Sequence, residues 1–71
     1  MEYISLVMHM NRVREAREEK GLTQKELSKL ANVRQAQISL IENGLKPNIS
    51  VPVAQRLAKA LDKTMDYLFP Y

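Results

Sequence analysis

Apolar residues recur along this chain at three- and four-residue intervals, the spacing of amphipathic helices. Val13, Ala16 and the aliphatic stem of Arg17 share one face of a segment over residues 11–20. Leu27, Leu30 and Ala31 do the same in a second segment, Ile38 and Ile41 anchor a third over residues 35–43, and Ala54, Leu57, Ala58 and Leu61 mark a fourth. Punctuation residues agree with these bounds. Gly21 and Gly44 stand where a left-handed residue closes a helix, and Pro47 prevents the third helix from resuming. Thr23 and Glu26 form a capping box at the start of the second helix, each side chain satisfying the other residue's free amide. Ser50 caps the fourth helix and Pro52 fits its first turn, while Thr64 caps a short fifth over residues 65–69 with Asp66 near its positive end. The expected fold is all-α, with five short helices in one domain over residues 11–69.

Residues 1–10 break the pattern. Ile4, Leu6 and Met8 alternate with Tyr3, Ser5 and Val7, the period of a strand. A helical domain offers a single strand no partner, so this stretch either pairs with its copy in a dimer or with residues 67–71, or it is a tail ahead of the domain.

Composition narrows the function. The chain has 71 residues, no cysteine, and His9 as its single histidine. A disulfide, a thiolate zinc site, a cysteine nucleophile and a Ser-His-Asp site are all excluded, and no cofactor or metal is expected. The carboxylates Glu15, Glu18 and Glu19 with Arg14 and Lys20 read as a solvated helix face, not a catalytic dyad. An enzyme is therefore not expected. No stretch approaches the roughly 20 apolar residues that cross a bilayer, and Glu2 stands where a signal peptide would be basic, so a soluble cytosolic protein with no membrane partner is expected. A net charge of +3 suits a polyanion partner if it is gathered on one face.

The most informative stretch is residues 23–44, TQKELSKLANVRQAQISLIENG. It places a capped helix, a tight turn and a second helix at the spacing of a helix-turn-helix. Ser28 is small enough for close helix crossing, Asn32 tolerates the left-handed backbone the turn requires, and Val33 joins Leu27, Ala31, Ile38 and Ile41 in the wedge between the helices. With Ile38 and Ile41 inward at about 100° per residue, the outer arc of the third helix holds Ala36, Ser39, Leu40 and Asn43, with Gln35 at its tip. Gln35 suits a bidentate pair with adenine, Ala36 and Leu40 suit thymine methyls, and Arg34 suits a guanine or a phosphate.

Over residues 11–69 the chain resembles the Cro and phage-repressor (Xre) class of DNA-binding domains. The resemblance rests on NRVREAREEKGLTQKELSKLANV, the ISLIENG tail of the third helix, the run from Pro52 to LAKAL, and the closing DYLF. It implies a lambda-repressor-like fold in which the third helix enters the major groove. It also implies that Gln24, at a helix N-terminus, holds a phosphate together with Gln35, that Asn43 and Lys46 form a second phosphate anchor with Lys25 as a further contact, and that Arg17 and Glu42 form a partly buried structural salt bridge. One departure stands out, because Arg34 occupies a helix-capping position that family members fill with serine or threonine.

The leading expectation is a sequence-specific double-stranded DNA-binding regulator, a repressor that binds a two-fold symmetric operator as a homodimer. Its dimer surface is expected from Tyr67, Leu68, Phe69 and Tyr71, joined by Ile4 and Leu6 of the N-terminal stretch, with a place in the core as the alternative for at least one of Leu68 and Phe69. The alternative is an antitoxin or adaptor module, which has a protein partner and also binds its own promoter.

Overall fold

The computed structural model describes residues 11–46 and 48–70. The expectations placed on residues 1–10, Ile4 and Leu6 included, on Pro47 and on Tyr71 lie outside the described residues. Five helices follow in order: α1 (Val13–Glu19), α2 (Gln24–Ala31), α3 (Gln35–Glu42), α4 (Val51–Leu61) and α5 (Met65–Leu68). The fold is the expected all-α one, with no strand among the described residues.

Each boundary has a local cause. Thr23 and Glu26 form the complete capping box of α2, Ser50 Oγ accepts from the Val53 amide, and Thr64 Oγ1 accepts from the Tyr67 amide. Arg12 is the N-cap of α1 and makes no side-chain cap bond; the residue before it, Asn11, accepts at Oδ1 from the Val13 amide at 3.1 Å, while its Nδ2 donates to the Ile41 carbonyl at 2.8 Å and ties the start of α1 to the end of α3. Left-handed residues stand at the far ends. Gly21 (φ 72°) and Gly44 (φ 69°) close α1 and α3, and Asn32 (φ 55°) and Asp62 (φ 58°) close α2 and α4. After Gly21 the Leu22 amide donates back to the Arg17 carbonyl, and after Gly44 the Leu45 amide donates back to Leu40, which satisfies carbonyls the helices leave open.

The core is the periodic set read from the sequence, with additions. Val13, Leu27, Ile38, Ile41, Leu57, Leu61 and Leu68 are sealed from solvent, and Ala16, Ala31, Val33, Val53, Ala54, Ala58 and Phe69 complete the cluster. The helix α2 packs on α3 and α4, α4 carries α1 and α5, and α3 packs on α2 and α1, so the helix-turn-helix pair is held by α4 through α2 and by α1 through α3. Leu30 departs from expectation, being 62% exposed. Leu27 and Ala31 already fill the inward direction, and Leu30 falls on the flank, beside a shallow groove lined by Arg56, Lys59 and Ala60.

Leu68 and Phe69 take the core reading. Both are buried in the chain's own core, because α5 is only one turn long and must bury its apolar side against α4 to hold at all. Tyr67 is half-buried, its ring flanked by Arg12 at 4.8 Å and Lys63 at 4.9 Å. Arg12 also donates its amide to the Leu68 carbonyl and Nη1 to the Tyr67 carbonyl, so α5 is fastened to the start of α1.

Candidate nucleic-acid interface

The outer face of α3 is built by subtraction. Ile38 and Ile41 are wholly buried, so the helix presents the opposite arc to solvent. Gln35 and Ala36 are exposed, Leu40 is 43% exposed, Ser39 is half-buried at the edge, and Asn43 is exposed at the end. Arg34 precedes the helix in extended backbone, is exposed, and makes no side-chain cap bond, as its chemistry requires. Its charge sits where the helix dipole disfavours a cation, an arrangement that an anion would relieve.

What holds this face in place is a carboxylate with four donors. The side chain of Glu42 is 0% exposed and accepts from Arg17 Nε at 2.7 Å, Arg17 Nη2 at 3.1 Å, Gln24 Nε2 at 3.1 Å and Arg14 Nε at 3.3 Å. Arg17, 12% exposed, also donates Nη1 to the Leu22 carbonyl at 2.8 Å, so a single guanidinium binds the end of α3 and the turn before α2. Burial works to raise the Glu42 carboxyl, but hydrogen bonds from Arg17 and Gln24, the Arg17 charge and the Arg14 bond outweigh it and hold it below the ordinary carboxylate range. The Glu42 hydrogen bond raises Arg17 against the opposing effect of burial. Three helices thus meet at one ion, and no buried polar side-chain atom among the described residues lacks a partner.

Two positions behave differently from their sequence assignment. Gln24 turns its amide onto Glu42 rather than toward Gln35, because a charged carboxylate is the stronger acceptor. Arg14, assigned to a solvated helix face, is engaged: besides Glu42, its Nη2 donates to Asn43 Oδ1 at 2.8 Å, and Asn43 Nδ2 donates to the Ser39 carbonyl at 2.8 Å. The signal for Arg14 is its position three residues before Arg17, one turn along the same helix face. Ser28 does more than permit close packing, since its hydroxyl donates to the Val33 carbonyl at 2.6 Å and braces the turn. Lys25 is exposed and Lys46 half-buried, at opposite ends of the helix-turn-helix unit. Among the described residues no group of acidic, histidine or cysteine side chains suits a metal ion, and no helix is long and apolar enough to cross a membrane.

The helix-turn-helix family model matches residues 13–68, which span every helix described above. The chain belongs to the helix-turn-helix family of the Cro/C1 (Xre) type. Solved structures that share its architecture include the following two. The restriction-modification controller protein C.AhdI from Aeromonas hydrophila is 36% identical, with a TM-score of 0.78 over 90% of this chain and 96% of that one. The N-terminal DNA binding domain of SinR from Bacillus subtilis is 28% identical, with a TM-score of 0.76 over 96% of this chain and 91% of that one. No curated protein matches the chain. This member of the Xre-type family is accordingly a DNA-binding transcription regulator, and its partner is double-stranded DNA.

Proposed function

We propose that the protein binds a specific operator as a homodimer, in the cytosol, with one α3 helix in the major groove of each half-site, and that it acts as a repressor there. The observation that carries this reading is the outer arc of α3. Gln35, Ala36 and Leu40 are exposed side by side on a helix whose inner face is sealed and whose end is clamped through Glu42. A leucine 43% exposed at the centre of a polar arc has a use against thymine methyls that it lacks in water. Gln35 reads adenine and Arg34 a guanine or phosphate, while Gln24, Lys25 and Lys46 set the register on the backbone, and Asn43, expected among these contacts, is engaged with Arg14 and the Ser39 carbonyl. The amides of Gln24 and Lys25 lie in the first turn of α2, which favours a phosphate.

One α3 covers only a few base pairs, so discrimination requires two half-sites about 34 Å apart and a second copy of the chain. With Leu68 and Phe69 used internally, the apolar edge at the start of α4 is the better dimer surface. Val51 is 58% exposed there, next to a cleft lined by Ile49, Ala54, Met65 and Phe69. Likeness to a restriction-modification controller protein supports a regulatory role, and the DNA upstream of the protein's own gene is a direct place to look for an operator. Footprinting on the DNA upstream of that gene tests the reading. Two protected segments one helical turn apart are expected, whereas protection spreading evenly along the duplex as protein is added would reject specific binding.

A further inference from the structure

Glu42 is one carboxylate between two guanidiniums. Arg17 holds it with a two-pronged contact, is itself 12% exposed and also lies 4.0 Å from Glu18, so Arg14 is the outer and less committed of the two guanidiniums. Arg14 is fixed by Nε on Glu42 and Nη2 on Asn43 and is still 49% exposed. Its Nη1 and second Nη2 hydrogens have no protein acceptor among the described residues. Asn43, in turn, has its Oδ1 occupied by Arg14 and one Nδ2 hydrogen occupied by the Ser39 carbonyl, leaving little with which to hold an anion. Asn43 ends the outer arc of α3, so the guanidinium 2.8 Å from it stands at the margin of the same face.

We propose that Arg14, on α1 and outside the helix-turn-helix itself, is a direct contact to a DNA backbone phosphate at the C-terminal end of α3, with Asn43 serving to aim it. A guanidinium held at two atoms loses little side-chain freedom when a phosphate arrives, and its planar fork matches two phosphate oxygens. The inference rests on α3 lying in the major groove.

The test measures affinity against salt concentration for operator and random duplexes, with variants whose folding is checked by helical circular dichroism. Arg14→Ala is expected to lower the slope of log K on log salt by about 0.9 on both duplexes, the loss of one phosphate contact. Arg14→Lys restores the slope, because the charge alone sets counterion release. Asn43→Ala leaves most of the slope in place. An unchanged slope in folded Arg14→Ala, or a full loss in Asn43→Ala, would overturn the proposal. Gln35→Ala separates the underlying reading: if it leaves the preference for operator over random duplex intact, α3 is not the reading helix, whatever Arg14 does.

Discussion

Replacing Arg17 by alanine removes the two-pronged contact on Glu42 and the bond to the Leu22 carbonyl in one step. Glu42 stays sealed within the protein, and Arg14 Nε at 3.3 Å and Gln24 Nε2 at 3.1 Å are its remaining donors. Breaking a buried ion pair on one side costs roughly 3 to 5 kcal/mol. The partial compensation by Arg14 and Gln24 places this case at the lower end, about 3 kcal/mol. A domain of this length has a total stability of only about 4 to 10 kcal/mol, so the variant is left marginal. Urea unfolding followed by circular dichroism measures the loss, and a cycle with Glu42→Gln isolates the pair. The pH dependence has a definite sign. Glu42 is held below its ordinary range, so its contribution is complete above about pH 4.3, the unfolded glutamate value, and disappears as pH falls through the lower folded value. The gap between the wild type and Arg17→Ala therefore narrows in acid. A loss below about 1 kcal/mol, the level of an exposed surface pair, together with no coupling in the cycle, would refute the buried-hub account.

Other perturbations probe separate parts of the molecule. Gln35→Ala should weaken operator binding by about 1 to 3 kcal/mol while random duplex is bound as before; equal losses on both, in a fluorescence titration, would remove Gln35 from base reading. Lys46→Ala should weaken both duplexes alike and reduce the salt slope by about 0.9, and a loss confined to operator would contradict a phosphate role. A methyl at Gly21 meets no atom within 4 Å, so Gly21→Ala isolates the strain of φ +72° and should destabilise by about 1 kcal/mol in thermal or urea unfolding, with no change in DNA contacts. Val51→Asp should shift the protein toward monomer in sedimentation equilibrium, and an unchanged mass distribution would place the dimer surface elsewhere.

The fold was largely legible in the sequence because its signals are local. Helical spacing, the Thr23 and Glu26 box, the Ser50 and Thr64 caps and the left-handed Asn32 each act within a few residues. Leu30 misled because spacing says which side of a helix a residue occupies but not how much of that side a neighbouring helix covers. The outer arc of α3 followed from two buried isoleucines, and its positions needed no tertiary knowledge. The Arg14 contact did not follow, since it joins residues 28 and 29 positions apart and depends on where α1 crosses the end of α3. Gln24 illustrates the same limit: its place at the start of α2 was readable, but its choice of Glu42 over Gln35 depends on a carboxylate buried by the fold. For α5, a pattern of aromatic and apolar residues at the end of the chain fits a dimer surface and a core equally well, and only packing on α4 decides for Leu68 and Phe69.

Selection of bound sequences from random duplex DNA tests the central claim most directly, because it asks at once for binding, base preference and symmetry. The account predicts enrichment of an inverted repeat whose half-sites are centred about 10 base pairs apart, with the enriched base pair under Gln35 lost when Gln35→Ala is used in the selection. Recovery of an unenriched pool, or of a site unchanged by that substitution, would contradict it.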